Sequence, residues 1–274
     1  MKQLFLILSI LCSIAVFAQQ KTAAVLMQEK LQKKAEKRER INQLIKQEEE
    51  GALIFQKQST TGIKLNTDGW GLFLEKGKYK TIAKTSLYWL EFGERNHPKE
   101  EKVPTLSSSQ GMVVFSSYVY GKQNNFFYLK MGIGQQKLIG GKGNKNGVAV
   151  SAIYGGGISV GLLKPYYLDV QKPNGRGVTE QIKYNNNDSI FLNPNLIIGH
   201  SSFFKGISEM QFVPGGYART ALRFDYGRYN EAISAIEVGV NAEYYSKKMP
   251  ILLLNDPKSF FFNAYISIVF GKRK

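Results

Sequence analysis

The stretch AISAIEVGVNAEYY, residues 232–245, decides the fold class of this chain. Its even-numbered positions carry mostly apolar side chains, and positions 237, 239, 241 and 243 carry glutamate, glycine, asparagine and glutamate. A period of two over some fourteen residues belongs to an extended strand with two unlike faces, and a helix cannot produce it. The stretch therefore predicts a long β-strand with one apolar and one polar face.

The same alternation recurs near 125–134, 147–163, 218–226 and 260–270. Strands of soluble proteins usually have about 5 to 6 residues, whereas a tilted strand needs about 9 to 11 to cross a bilayer. We therefore expect an all-β fold, a transmembrane antiparallel up-and-down β-barrel of about eight strands. They are predicted at 62–76, 81–94, 112–121, 125–136, 147–165, 215–228, 231–246 and 259–271. The first and third have an ambiguous phase and rest on the even strand number that places both barrel termini in the periplasm.

Charged residues on the polar faces of these strands are expected to point into the barrel. They are Glu91, Lys130, Arg219, Arg223, Asp225, Glu237 and Glu243. One interpretation is a pore lining or proton path. The other is a network that fills the lumen, because an eight-stranded barrel is just wide enough for side chains to fill it.

Aromatic residues cluster where the predicted strands reach one rim, as expected for an aromatic girdle. The predicted outer girdle is Tyr118, Tyr120, Phe126, Phe127, Tyr166, Tyr167, Tyr244, Tyr245 and Phe260 to Phe262, and the opposite rim is Phe92, Tyr226, Tyr229 and Phe270. Residues 171–214 would form a long extracellular excursion, folded over the mouth or against lipid. Residues 95–111 would be an irregular periplasmic segment.

The first eighteen residues have the features of a cleavable secretory signal, with Lys2 before an apolar run and a cleavage site at Ala18. Cys12 raises lipidation as an alternative, although Leu11 precedes it where a small residue is expected. Cleavage would remove the only cysteine and, with Lys2, lower the formal net charge from +16 to +15. For an exported chain this basicity favours anionic lipid head groups or acidic glycans as partners, and no nucleic acid is expected.

Residues 24–50 lack Gly and Pro and are rich in helix formers, which predicts a charged helix. It is either solvated or docks a periplasmic or outer-membrane protein partner. The expected organisation is therefore a signal peptide at 1–18, a periplasmic helical segment at 19–59 and a barrel at 60–274. No stretch after residue 18 is apolar enough for a membrane-spanning helix.

Few residues suggest chemistry. His200 and Ser202, with Glu209 or Glu180 nearby, supply the residue types of a base, a nucleophile and an orienting acid. Lipid A deacylase barrels use such a set, but the spacing here does not match that family. His97 and His200 are far apart, on opposite sides of the membrane in the expected topology, and predict no metal site. No cofactor motif is present, since Gly140 to Gly143 lacks the phosphate-loop spacing.

Four segments carry a resemblance to outer-membrane β-barrel proteins of Bacteroidota-type bacteria: DGWGLFLEKGK (68–78), YGGGISVGLLKPYYL (154–168), FFKG (203–206) and NAYISIVFGKRK (263–274). The resemblance covers about 60–274 and implies an outer-membrane location and a barrel fold, but it does not specify an activity. Because the sequence lacks a convincing catalytic set, we expect no enzyme but a structural, docking or binding role, with outer-membrane lipid and lipopolysaccharide as partners. The alternative is a small solute or lipid transporter.

Overall fold

A computed structural model describes residues 23–49, 55–109, 112–142, 147–171, 178–185, 189–227 and 231–274. The chain divides into two compact units, residues 1–54 and 55–274. The signal segment 1–18, with Cys12, lies outside the described residues. Among those described, no helix is both long and apolar enough to cross a membrane.

The described part of the first unit is helix α1, Ala23–Glu49. Its 27 residues give a length of about 40 Å. Met27 and Leu31 are 66% and 57% exposed, so these apolar side chains do not form a buried stripe within the unit. The predicted helix at 24–50 is confirmed.

The second unit contains thirteen described strands. They are β1 (Lys57–Asn66), β2 (Gly69–Thr81), β3 (Lys84–Arg95), β4 (Lys102–Ser109), β5 (Met112–Val119), β6 (Asn124–Gly140), β7 (Ala149–Pro165), β8 (Tyr167–Gln171), β9 (Thr179–Lys183), β10 (Ile197–His200), β11 (Gln211–Asp225), β12 (Ala232–Met249) and β13 (Lys258–Arg273). Eight of them close an antiparallel barrel in the order β1-β2-β3-β6-β7-β11-β12-β13, with β13 paired back to β1. The predicted eight-stranded barrel is confirmed.

Two of the predicted strands were wrong. The segment 62–76 is the junction of β1 and β2, which turn at Thr67 and Asp68. The segment 112–121 falls largely on β5, which pairs with β4 outside the barrel. The predicted number of eight strands is nevertheless correct. The β1–β2 hairpin supplies two strands where one was predicted, and β5 lies outside the barrel, so the two errors cancel.

The barrel has two unlike ends. At the end that we call the loop end lie the β1–β2 turn, the β12–β13 connection and the two long excursions, residues 96–123 and 166–210. At the terminal end, β1 begins, β13 ends and the remaining connections are short. Because β3 runs toward the loop end, the described residues 95–109 lie there and include β4, so the prediction of 95–111 as an irregular segment on the same side as the barrel termini was wrong.

The two excursions form what we call the loop unit, made of the β4–β5 hairpin and the three-stranded sheet β10-β8-β9. They share an apolar core that includes Tyr118 from the first excursion and Leu168 and Phe191 from the second. The Thr105 hydroxyl donates to the Ile198 carbonyl at 2.5 Å. The second excursion supplies four of the five buried residues of this core, and the first adds Tyr118, so packing against each other removes apolar surface of both from water.

Candidate functional site

The barrel interior holds two clusters of buried ion pairs. In the cluster nearer the loop end, Glu91 contacts the Nζ atoms of Lys64 and Lys130 at 2.5 and 3.4 Å. Lys130 also reaches Glu243 at 2.6 Å, and Glu243 is 2.7 Å from an Nη atom of Arg95. A carboxylate that accepts from two cations offsets its own desolvation better than one in a single pair.

The cluster nearer the terminal end is organised around Glu75 and Glu237. Glu75 accepts from Arg219 and Arg223, each at 2.8 Å. Glu237 accepts from Arg223 at 2.6 Å and from the Tyr265 hydroxyl at 2.6 Å. Between this cluster and the terminal mouth of the barrel, Arg273 at the end of β13 forms an ion pair with Asp225.

The charges of the interior balance. Within the described residues, the inward faces of the barrel strands and the β1–β2 turn carry six basic and six acidic side chains: Lys64, Arg95, Lys130, Arg219, Arg223 and Arg273 with Asp68, Glu75, Glu91, Asp225, Glu237 and Glu243. The structure places all seven residues that the sequence suggested for the lumen in this set, and all seven are buried. Since the interior is neutral, the surplus positive charge of the chain lies outside it.

Sequence reasoning missed Lys64, Asp68, Glu75, Arg95 and Arg273. The signal was Asp68-Gly69, a dipeptide typical of tight hairpin turns. Gly69 has φ of 156°, and a Cβ there would lie 2.0 Å from the Glu94 carbonyl oxygen. With a turn at 67–68, the even-numbered residues of β1 and the odd-numbered residues of β2 face the interior. Lys64 and Glu75 are then both inward.

An aromatic layer separates the two charged clusters. Trp89 donates its indole N–H to the Tyr217 hydroxyl, and the Arg219 guanidinium lies 3.8 Å from the Trp89 ring centroid. Glycines on β6 and β7 provide the space, since a Cβ on Gly132 would be 2.7 Å from the Trp89 ring and one on Gly155 equally close. A side chain at Gly132 would also meet the Tyr217 hydroxyl, and one at Gly155 would meet the Ile133 carbonyl. The indole and its neighbours together therefore require glycine at both positions.

An apolar layer covers the interior at the loop end. Inward-facing Phe126 and Tyr245 share a buried cluster with Met249 and with Ile251 and Leu252 of the β12–β13 connection. That connection is held by a hydrogen bond from Gln123 N to Ile251 O at 2.8 Å and by an isolated bridge between Lys122 and Leu252. The β12–β13 connection therefore places apolar side chains over this mouth of the barrel.

The outer wall of the barrel is apolar. The large exposed hydrophobic side chains of the barrel strands include Leu65, Leu72, Leu90, Ile133, Ile158, Leu222, Val238 and Ile268. Strand β13 alone presents Phe260, Phe262, Ala264, Ile266, Ile268 and Phe270 outward. Charge is thus inside and apolar surface outside, the reverse of a soluble barrel.

The predicted aromatic rims are partly right. Tyr244, Phe260 and Phe262 do face outward near the loop end. Phe126 and Tyr245 instead point into the interior, and Tyr118 belongs to the core of the loop unit. Phe92 lies at the loop end, because β3 runs opposite to the expected direction. Tyr226 and Phe270 face outward at the terminal end, and Tyr229 is outside the described residues.

Part of the excursion 166–210 lies against the outer wall. Phe203 packs on outward-facing Phe127 with ring centroids 6.1 Å apart. The Lys164 ammonium donates to the Phe203 carbonyl and sits 4.0 Å from its ring centroid. Phe204 remains 77% exposed beside it, so an apolar surface projects from this segment.

The candidate hydrolase residues do not form a catalytic set. His200 Nδ1 lies 2.7 Å from the Ser117 carbonyl, and Glu209 accepts from the Tyr167 hydroxyl at 2.8 Å and from Lys183. The hydrogen bond from Lys183, and after it the one from Tyr167, lowers the pKa of Glu209 below its usual value. The bond between Lys183 and Glu209 also raises the pKa of Lys183. Ser202 is exposed, and within the described residues no hydrogen bond joins any two of His200, Ser202 and Glu209.

The two histidines lie at the same end of the barrel, so their expected separation across the membrane was wrong. His97 follows β3 and His200 ends β10, both at the loop end. Burial lowers the pKa of His97. In the described part of the chain no group of three or more His, Cys, Asp or Glu residues is placed to hold a metal ion.

No protein-family model and no curated protein matches the sequence. Solved structures of outer-membrane β-barrels do resemble the fold. The N-terminal β-barrel domain of Pseudomonas aeruginosa OprF is 8% identical, with a TM-score of 0.35, over 79% of this chain and 98% of that one. Ail of Yersinia pestis, solved with the heparin analogue sucrose octasulfate, is 12% identical, with a TM-score of 0.36, over 81% and 100%. Neisserial surface protein A is 7% identical, with a TM-score of 0.36, over 80% and 95%.

Proposed function

We propose that this chain is an integral outer-membrane β-barrel with a side-chain-filled lumen and a docking or binding role, and not an enzyme. The observation that carries the proposal is the reversed polarity of the barrel, with charge buried inside and apolar residues on the wall. In water such a wall would cost free energy over its whole area, whereas in hydrocarbon it costs none.

The dimensions of the wall support a bilayer. Ten residue steps separate Phe260 from Phe270 on the outward face of β13. At about 3.3 Å per residue and a tilt of about 40°, these aromatic residues are about 25 Å apart along the barrel axis. That distance matches the apolar band of outer-membrane barrels.

The unlike ends support an orientation. Outer-membrane barrels have short periplasmic turns and longer extracellular loops. We therefore assign the terminal end to the periplasm and the loop unit to the cell surface, which agrees with export through the signal peptide expected at 1–18. The Bacteroidota-type resemblance belongs to the same proposal.

The interior favours a filled barrel over the alternative, a transporter. Each buried carboxylate of the two clusters accepts from at least two groups, and the apolar layer of Phe126, Met249 and Ile251 covers one mouth. Opening a conducting path would require several of these ion pairs to break at once. Each broken pair would leave a buried charge without its partner, which costs free energy.

The loop unit and the segment beside it offer surfaces for a partner. Phe115 is 82% exposed, and Phe203 and Phe204 are 60% and 77% exposed. Exposed apolar clusters of this kind mark interaction sites. The expected partners are outer-membrane lipid or lipopolysaccharide, or an envelope protein, and α1 offers a second, charged surface to a protein.

Extraction and conductance measurements test the proposal. The full chain should remain in the membrane pellet after alkaline carbonate washing and require detergent for solubilisation. In planar bilayers it should show no stable open channels. Release by carbonate would contradict the membrane assignment, and sustained conductance steps would contradict the filled lumen.

A loop variant tests the docking role. Phe203→Ser combined with Phe204→Ser should leave insertion unchanged and abolish recovery of whatever lipid or protein co-purifies with the wild type. Phe212→Ser, which alters a residue that is 71% exposed at the start of β11, is the matched control. Equal recovery with all three chains would contradict a role for this surface.

A further inference from the structure

The outward faces of five adjacent strands carry a row of lysines at the terminal end. We call Lys57, Lys76, Lys78, Lys84, Lys137 and Lys272 the lysine belt, and all six are exposed. They lie on β1, β2, β3, β6 and β13, which are neighbours in the barrel. Within the described residues, the outward faces of β7, β11 and β12 carry no lysine at this end. The belt is therefore an arc on one side of the barrel.

The register places lysines directly against one another. Lys57 is opposite Lys78 across β1 and β2, and Lys84 is opposite Lys137 across β3 and β6. Ser59 has Lys76 on one side and Lys272 on the other. Like charges at directly opposed positions destabilise a sheet, so this arrangement costs stability unless an anion lies between the ammonium groups.

The outward faces of the five belt strands supply no carboxylate at the terminal end. Among the described residues, the outward faces of these five strands have one side-chain carboxylate, Glu94. It lies at the loop end of β3 and accepts from the Trp70 indole. Helix α1 by itself has no net negative charge, since its sequence contains seven Lys and Arg against five Glu. Within the described outward faces of the five strands, the belt therefore has no compensating anion at the terminal end.

The belt continues directly from the apolar wall. On β2 the outward residue before Lys76 is Leu74, and on β13 the one before Lys272 is Phe270, 62% and 55% exposed. A change from apolar to cationic within two residues is what a strand meets at the boundary between hydrocarbon and phosphate head groups. A soluble polyanion would explain the lysines but not their position at the edge of the apolar band.

We propose that the lysine belt is a binding site for the head groups of anionic phospholipids in the leaflet at the terminal end. The ammonium groups donate to phosphodiester oxygens, and the acyl chains lie on the apolar wall above. The proposal rests on the proposed membrane location, and it adds a lipid class and a side of the barrel to it.

The test compares lipid retention by two matched variants. The belt variant carries Lys76→Gln, Lys78→Gln, Lys84→Gln and Lys137→Gln. The control carries Lys205→Gln, Lys247→Gln, Lys248→Gln and Lys258→Gln, four exposed lysines of the loop end. Each full chain is inserted into phosphatidylcholine vesicles containing phosphatidylglycerol, and the lipids near the barrel are quantified with spin-labelled analogues of both.

The wild type and the control should prefer phosphatidylglycerol, and the belt variant should lose that preference. One lysine at an anionic surface contributes about a fivefold preference, so four substitutions should lower it at least about tenfold. Equal preference in all three chains overturns the inference. Displacement of the labelled lipid by soluble polyphosphate also overturns it, in favour of a polyanion site.

A single substitution gives an independent measurement. In pure phosphatidylcholine, Lys78→Gln relieves the repulsion from Lys57 and should raise the urea midpoint of unfolding. With phosphatidylglycerol present it removes a bound head group and should lower that midpoint. The same sign in both lipids overturns the inference. Failure of the wild type to insert would instead overturn the proposed membrane location, so the two failures are distinguishable.

Discussion

Val238 offers a direct test of whether the outer wall faces hydrocarbon. It is 44% exposed and lies outward on β12, between Leu222 of β11 and Ile266 of β13. Tyr244 is six residues away toward the loop end and Ser234 four residues away toward the terminal end. At about 2.5 Å of height per residue, these are about 15 Å and 10 Å along the barrel axis.

A lysine at position 238 is therefore too far from either boundary to reach water easily. A cation at that depth of an outer-membrane barrel costs about 2–4 kcal/mol. The folding equilibrium of Val238→Lys should fall about 30- to 700-fold relative to the wild type. In a soluble protein the same change at a half-exposed site alters stability by about 0.5 kcal/mol or less.

The assay is reversible urea unfolding of the chain in lipid vesicles, followed by tryptophan fluorescence. Ser246→Lys is the matched control, because position 246 is outward and exposed on the same strand beyond Tyr244 and is followed by Lys247 and Lys248. It should cost about 0–1 kcal/mol. Equal losses for the two variants would refute the assignment of this wall to hydrocarbon.

Three further predictions concern the interior and the loop unit. Glu75→Gln leaves two buried guanidinium groups under-compensated and should cost about 3–5 kcal/mol of unfolding free energy; a loss below about 1 kcal/mol would indicate a hydrated interior. Gly132→Ala should cost about 1–3 kcal/mol, and much less in a background that combines Trp89→Leu with Tyr217→Phe, because its Cβ would meet the indole and the Tyr217 hydroxyl; equal costs in both backgrounds would exclude these contacts. Ser202→Ala should leave the acylation of lipid A unchanged in whole cells, and altered acylation would revive the hydrolase hypothesis.

The sequence predicts the barrel well where alternation is long and unbroken. Strand β12 shows its two faces from residue 232 to residue 245, and Glu237 and Glu243 could be placed inside from the pattern alone. Prediction failed around residues 62–76, because only two residues separate β1 from β2. Apolar residues lie both before and after this short turn, so the sequence resembles one continuous strand. Arg95 was missed because it is the last residue of β3, where the sequence turns polar.

The partners of the charged residues could not be predicted. Glu75 lies more than 140 residues from Arg219 and Arg223 in the chain, and they meet only because the barrel closes. The same holds for Trp89 and Tyr217, which are 128 residues apart. Alternation states which face a side chain takes, but not which residue faces it across the lumen.

The sequence by itself determined the fold class and the inner and outer faces of most strands, because the polarity of successive side chains is a local property of an extended chain. Only the tertiary structure decided the direction of β3, the packing of the two excursions against each other and the order in which the strands pair around the barrel. These depend on contacts between distant segments. The lysine belt depends on both the sequence and the tertiary structure. The alternation within each strand points its lysines outward, and the pairing of β13 with β1 brings Lys272 beside the others.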